Sequence, residues 1–211
     1  MVAARTLEEG AQWLEARTGV PTVRGGKHAS MGTHNRLMAL GGDAYLEIIA
    51  IDPGAPPPAR PRWFGLDTPA MRARLEAGPA LIHWVARTDD IEAARAAAAD
   101  LVGDVLDLER GEYRWRIGVP ADGSLPVATL PTVIQWRGER HPARALPESG
   151  CHLVWLTVRG PEAQGSLARL HALGLADSAP VRFIEGEETR LSAWLRSPRG
   201  DVLLPESGGR E

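Results

Sequence analysis

Apolar and polar residues follow two periods along this chain, and the switches between them mark three stretches with one shared order: a short apolar strand, a capped helix, then further strands. In the first stretch Val2–Ala4 reads as a strand stub. Thr6 and Glu9 have capping-box spacing, in which each side chain satisfies a free N–H at the helix start. Leu7, Ala11 and Leu14 share the helical face that follows, and Gly19 stands where the helix should stop. His34–Leu40 and Tyr45–Ile51 read as strands joined by the turn Gly41-Gly42-Asp43.

The second stretch repeats the order. Leu81–Ala86 is a strand, and Asp89 or Asp90 caps a helix whose face is Ile91, Ala94, Ala98 and Leu101. Gly103 breaks it, and Val105–Leu108, Tyr113–Val119 and Thr132–Trp136 follow as strands. In the third, His152–Val158 is a strand and Pro161 a first helical residue. Ala163, Leu167 and Leu170 form the helical face, Gly174 the stop, and Val181–Ile184, Arg190–Leu195 and Val202–Leu204 the later strands. The organisation expected is a module at 1–52, a Pro-rich linker or lid at 53–79, a second module at 80–145 and a third, non-catalytic one at 146–211. The linker opens Pro-Gly-Ala-Pro-Pro-Pro, which cannot pair as a central strand. It then carries Trp63, Phe64 and Leu66, rings that either anchor a loop to the body or close a lid.

Composition narrows the function classes. The chain has 211 residues, 44% of them hydrophobic, and a formal net charge of -3. That is enough apolar material for a core. The charges alternate in sign, so no basic footprint for nucleic acid or an anionic membrane is present. Cys151 is the single cysteine and cannot form an internal disulfide, which points to a reducing compartment. No apolar run reaches the length of a signal peptide core or a membrane span, so a cytoplasmic protein is expected. Heavy use of Ala, Arg, Gly and Pro fits a GC-rich bacterial genome. There is no phosphate-binding glycine loop, paired CxxC or GxSxG elbow.

Five runs, in order, carry a resemblance. Gly25-Gly26-Lys27-His28, Met31-Gly32-Thr33-His34-Asn35, Tyr45-Leu46-Glu47-Ile48-Ile49, Arg60-Pro61-Arg62-Trp63-Phe64-Gly65-Leu66 and Leu81-Ile82-His83-Trp84 are similar to the glyoxalase-like domain family of the vicinal oxygen chelate superfamily. The resemblance covers most of residues 1–145. It implies an α+β fold of repeated βαβββ modules, two of them paired into a cup, with a third similar C-terminal module. It also implies a divalent metal (Zn, Ni, Mn or Fe) held by the first and last strands of each module. On that pattern Glu47 matches the last-strand ligand of the first module and His83 the first-strand ligand of the second, while Gln135 falls where a carboxylate would be. The partner of His83 would lie two residues before Met1, which suggests a misplaced start. The third stretch has Val154 at the position of His83 and so lacks the chemistry.

Residue chemistry supplies candidates and alternatives. Glu47 shares a strand face with Tyr45 and Ile49, where a carboxylate is costly unless paired or coordinating. It is the catalytic candidate, and its bland alternative is an ion pair with Arg36, Arg114 or Arg116. His83 could equally be a satisfied core histidine, and Gln135 could serve backbone groups. His34 and Asn35 point to opposite strand faces. His34, in step with Arg36, is expected to enter the cup. Trp115 is expected inward, between outward Arg114 and Arg116. The substrate-binding candidates are therefore His34, Arg36, Trp63, Trp115 and His28. Three activities compete. One is a metal-dependent lyase or isomerase on a small oxygenated substrate. Another is a metal-free protein that sequesters a small ligand against Trp63, Trp84 and Trp115. The last is a ring-cleaving dioxygenase using Glu47, His83 and His34. The expected partner is a small molecule, and the chain a monomer or homodimer.

Overall fold

Helix α1 (Leu7–Thr18) starts where Thr6 accepts the backbone N–H of Glu9, and it ends at Gly19 in the left-handed conformation, φ 75°. Its buried side carries Leu7, Gly10 and Leu14. Gly10 lets the helix lie directly on the sheet, since a Cβ there would stand 2.5 Å from Ile48 Cγ2. Gly10→Leu is therefore expected to lower stability by about 1–3 kcal/mol through overpacking, read as a lower urea midpoint with an unchanged m-value.

The computed structural model describes residues 1–125, 130–161, 163–173, 175 and 180–205, which leaves Gly174 outside. Around α1 run β1 (Val2–Ala3), β2 (Val23–His28), β3 (Thr33–Ala39) and β4 (Tyr45–Ile51). The second stretch comprises β5 (Ala80–Leu81), β6 (Val85–Arg87), α3 (Ile91–Ala97), α4 (Ala99–Val102), β7 (Asp104–Arg110), β8 (Tyr113–Val119) and β9 (Thr132–Arg137). Between them lies α2 (Pro69–Glu76), capped by Thr68. After α5 (Pro142–Ala145) come β10 (His152–Gly160), α6 (Ala163–Ala172), β11 (Val181–Glu185), β12 (Arg190–Ser197) and β13 (Gly200–Pro205). The fold is α+β, with the βαβββ order repeated. No helix among the described residues is long and apolar enough to cross a membrane.

The sheet orders are β2-β3-β4-β1-β5, β6-β9-β8-β7 and β11-β10-β12-β13. In the first two sheets the opening strand lies parallel beside the last strand of its repeat, β1 on β4 and β6 on β9. First- and last-strand side chains therefore come side by side. The third sheet keeps the element order but pairs differently. There β10 lies between β11 and β12, so β13 does not touch the opening strand. The antiparallel pairing of β1 with β5 closes the first sheet, and the chain runs on from β5 into β6 of the second.

Period-2 alternation then sorts side chains onto two sides. Ile49 of β4, Trp115, Ile117 and Val119 of β8 and Ile134 of β9 form one apolar cluster inside the cup with Trp63, Phe64 and Leu66. Ile48, Met38 and Val133 face the other way, into a second cluster shared with α1, α3 and the buried face of the third sheet. The Pro-rich segment thus anchors itself, with Trp63 and Phe64 packed into the cup. Phe64 has φ 59°, a strained conformation for a bulky side chain.

Strand β2 is the element the sequence pattern hides, because Gly25, Gly26 and Lys27 break its alternation. The strand bends there, with a register shift between Arg24 and Lys27. Gly26 is also where Arg110 crosses from β7. A Cβ on Gly26 would stand 2.4 Å from Arg110 Cδ.

Candidate functional site

A cavity opens inside the cup and extends beyond it, about 1190 Å³ in all. Its polar floor is a chain of hydrogen bonds across four strands, β2, β3, β4 and β7. The pairing of Leu37 with Glu47 sets β3 against β4 so that Asn35 and Glu47 face the same side. Asn35 Nδ2 donates to Glu47 Oε1 at 2.8 Å. Asn35 Oδ1 accepts the backbone N–H of Gly26 at 2.8 Å and Arg110 Nη1 at 3.3 Å. Arg110 Nη1 also stands 3.3 Å from His28 Nε2, and His28 Nδ1 is 3.1 Å from Thr33 Oγ1. With Nε2 accepting from a guanidinium, the His28 proton belongs on Nδ1, donated to Thr33. Burial, reinforced by Arg110, pushes the His28 pKa down to about 3, so the ring is neutral.

Glu47 is the group this floor serves. Burial raises its pKa, while the Asn35 hydrogen bond and the Arg110 charge oppose that rise. Burial thus makes the folded protein hold the Glu47 proton more tightly than a free carboxyl would. Tyr45, two residues away on the same face, has its phenol raised by burial and by Glu47. Aromatic rings build the walls. His28 packs edge-on against Trp63 at 5.1 Å and Trp115 at 6.1 Å, and Trp115 lies 5.4 Å from Trp136.

Of the residues expected from sequence, Glu47, His28, Trp63 and Trp115 all line this cavity. The others need correction. His34 and Arg36 point away from the cup, because the inward positions of β3 belong to Asn35 and Leu37. Arg36 instead binds Thr22, through Oγ1 at 2.8 Å and the carbonyl at 2.6 Å. Gln135 faces α3. Its amide donates to the Asp89 carbonyl at 2.5 Å and accepts from Ile91 N–H at 3.4 Å. It alternates with Ile134 and Trp136, which face the cup, so β9 cannot aim it inward.

His83 is fully buried, and its Nε2 accepts the Thr132 N–H at 3.0 Å. Among the described residues its Nδ1 has no hydrogen-bond partner, and the ring lies 5.9 Å from Phe64. Burial pushes the pKa of His83 down to about 3. The set Glu47, His83 and Gln135 therefore does not fit a divalent metal. One nitrogen is committed to backbone, one amide lies on the far face, and one carboxylate oxygen is taken by Asn35. Among the described residues no three His, Cys, Asp or Glu side chains group for an ion. The dioxygenase set fails for the same reason, since His34 is turned away. The ion pairs considered for Glu47 do not form either. Arg116 pairs with Glu92 and Asp107, and Arg114 with Glu109. Cys151 is buried, with its thiol pushed up by that burial.

Asn35 and Arg110 were missed from sequence. The signal for Asn35 was its place opposite His34 on β3. Nothing local marks Arg110, which reaches the cup only because β7 ends beside β2.

Comparison with known proteins agrees on the fold. Residues 1–174 match a family model described as a glyoxalase-like domain. No curated protein matches the chain in sequence. Among solved structures, a hypothetical protein from Staphylococcus aureus is similar over 81% of this chain and 78% of its own, at 14% identity and a TM-score of 0.51. Methylmalonyl-CoA epimerase from Mycobacterium tuberculosis is similar over 68% of this chain and 87% of its own, at 17% identity and a TM-score of 0.39. A mutant 4-hydroxymandelate synthase from Streptomyces coelicolor is similar over 97% of this chain and 61% of its own, at 16% identity and a TM-score of 0.42. At such identities the likeness is one of fold alone.

Proposed function

The chain belongs to the glyoxalase-like domain family of the vicinal oxygen chelate superfamily, and from that premise we propose that its cup is a small-molecule site where Glu47 moves a proton on an oxygenated substrate, as a lyase or isomerase does. One observation carries this reading: a carboxyl with a raised pKa lines a cavity walled by aromatic rings. A buried carboxyl with a raised pKa, facing a ligand cavity, is suited to take and return a proton. Arg110, three atoms' reach away through Asn35, supplies the positive charge that an enolate or carboxylate oxygen needs. His28 is neutral and serves as a wall and a hydrogen-bond acceptor. The residues present do not fit a metal, so no step is assigned to one.

The test is proton exchange. The protein is incubated in deuterated buffer with a panel of small 2-oxo and 2-hydroxy acids, with chelator and with added Zn, Ni, Mn or Fe(II). Deuterium entry at the carbon beside the carbonyl or hydroxyl is followed by NMR. Exchange above the uncatalysed rate in the presence of chelator is the expected result. Exchange that requires an added ion would overturn the metal-free assignment. Tight binding without exchange would favour a second reading, sequestration of a ring-bearing ligand, to which Trp63, Trp84 and Trp115 lend support because all three line the cavity.

A further inference from the structure

The cavity does not end at the cup. Tyr45 and Leu46 of β4 and Trp84 and Val85 at the start of β6 also line it, and among the described residues no strand pairing closes the gap between β4 and β6. On the far side of that gap the third repeat contributes Leu153 and Leu156 of β10, Leu173 after α6, Val181 of β11 and Leu195 of β12, none of which offers a side-chain hydrogen bond, while Arg87, Thr88, Asp89 and Asp90 also line the cavity. The cup end, in contrast, holds the carboxyl, amide and guanidinium described above. The whole space, about 1190 Å³, exceeds the roughly 300–1,000 Å³ that a drug-sized ligand occupies. One end thus holds the carboxyl, amide and guanidinium, and the wall that the third sheet gives the other is apolar.

We propose that this arm takes the alkyl chain of an amphiphilic oxygenated acid, whose polar head sits at Glu47, Asn35 and Arg110. The inference rests on the small-molecule reading of the cup and names its substrate class. It also gives the third sheet a task. That sheet lacks the strand pairing of the other two and carries no counterpart of Glu47, yet its strands supply Leu153, Leu156, Val181 and Leu195 to the arm. The third sheet then sets chain length, while the cup does the chemistry.

Straight-chain 2-oxo acids of increasing length are the probe, with binding followed by quenching of tryptophan fluorescence, since Trp84 and Trp115 line the cavity. Affinity is expected to rise about fourfold for each added methylene until the arm is full. Ala193→Trp, on β12, should make the affinity level off at a shorter chain. Because Ala193 is buried, Ala93→Trp is the safer variant, as Ala93 of α3 lines the cavity from an exposed position. It too is expected to cut the ratio of long-chain to short-chain affinity at least tenfold. Affinity independent of chain length, with the shortest acids still bound, would overturn the arm and leave the cup intact. An unchanged ratio in a folded Ala93→Trp would do the same. If no acid of any length binds, the reading of the cup fails and this inference goes with it.

Discussion

Glu47→Gln is expected to slow proton exchange by about 10²–10⁴-fold, the usual contribution of a positioned acid or base. The substitution keeps shape and keeps an oxygen to accept from Asn35, so the cup should remain built. What disappears is the ability to ionise. The same variant carries a second expectation with a definite sign. The folded pKa of Glu47 is raised, chiefly by burial, so the folded protein holds that proton more tightly than the unfolded chain. Its contribution to stability is fully present below the ordinary carboxylate value of about 4.3 and is lost as pH rises through the raised folded value. A neutral amide avoids that loss. Glu47→Gln should therefore melt higher than the wild type at alkaline pH, and the gap should close in acid. Exchange at the wild-type rate in a protein with this stability signature would remove Glu47 from the chemistry while leaving its burial intact.

Acidification is expected to unfold the protein earlier than its carboxylates alone would. His28 and His83 are both buried and both held neutral, with pKa pushed down to about 3 by burial first, then by Arg110 for His28 and by the amino group of Met1 for His83. In the unfolded chain each titrates near 6.5. A depressed folded value means stability present above about pH 6.5 and lost as pH falls toward the folded value. Each group contributes up to about 1.4 kcal/mol per pH unit, so the pair contributes roughly 3 kcal/mol per unit. Carboxylates held low by arginine, such as Asp43 with Arg144 and Asp67 with Arg62, add their losses only below about pH 4. Glu47 acts in the opposite direction, but it is one group against two. Urea midpoints measured in the Glu47→Gln background, from pH 7.5 down to about 4.5, isolate the histidines. His28→Gln and His83→Gln should each remove about half of the slope. A flat midpoint across that window would mean that neither ring is buried neutral.

These two expectations rest on groups that differ in how far sequence could place them. Glu47 was named from the resemblance and from strand alternation, which puts its carboxylate in step with Tyr45 and Ile49. Trp115 was named from alternation, between Arg114 and Arg116. His34 was misassigned by the same rule. Alternation says that neighbours face opposite ways, but not which of them faces in. That choice is made by the pairing of Leu37 with Glu47, a contact between strands.

The local pattern by itself determined the elements: a Thr6 cap, a Gly19 stop, strands at Tyr45–Ile51 and Tyr113–Val119, and the repeated βαβββ order. These follow from interactions within a few residues, which the sequence states directly. Only the tertiary structure decided which strand lies beside which, that β13 stays clear of β10, and that Arg110 crosses Gly26 to reach Asn35. It also decided that Gln135 turns to α3 and that His83 spends its nitrogen on Thr132. Such pairings join residues tens of positions apart. They are fixed by register and by the desolvation of buried polar groups, neither of which leaves a mark on the neighbouring sequence.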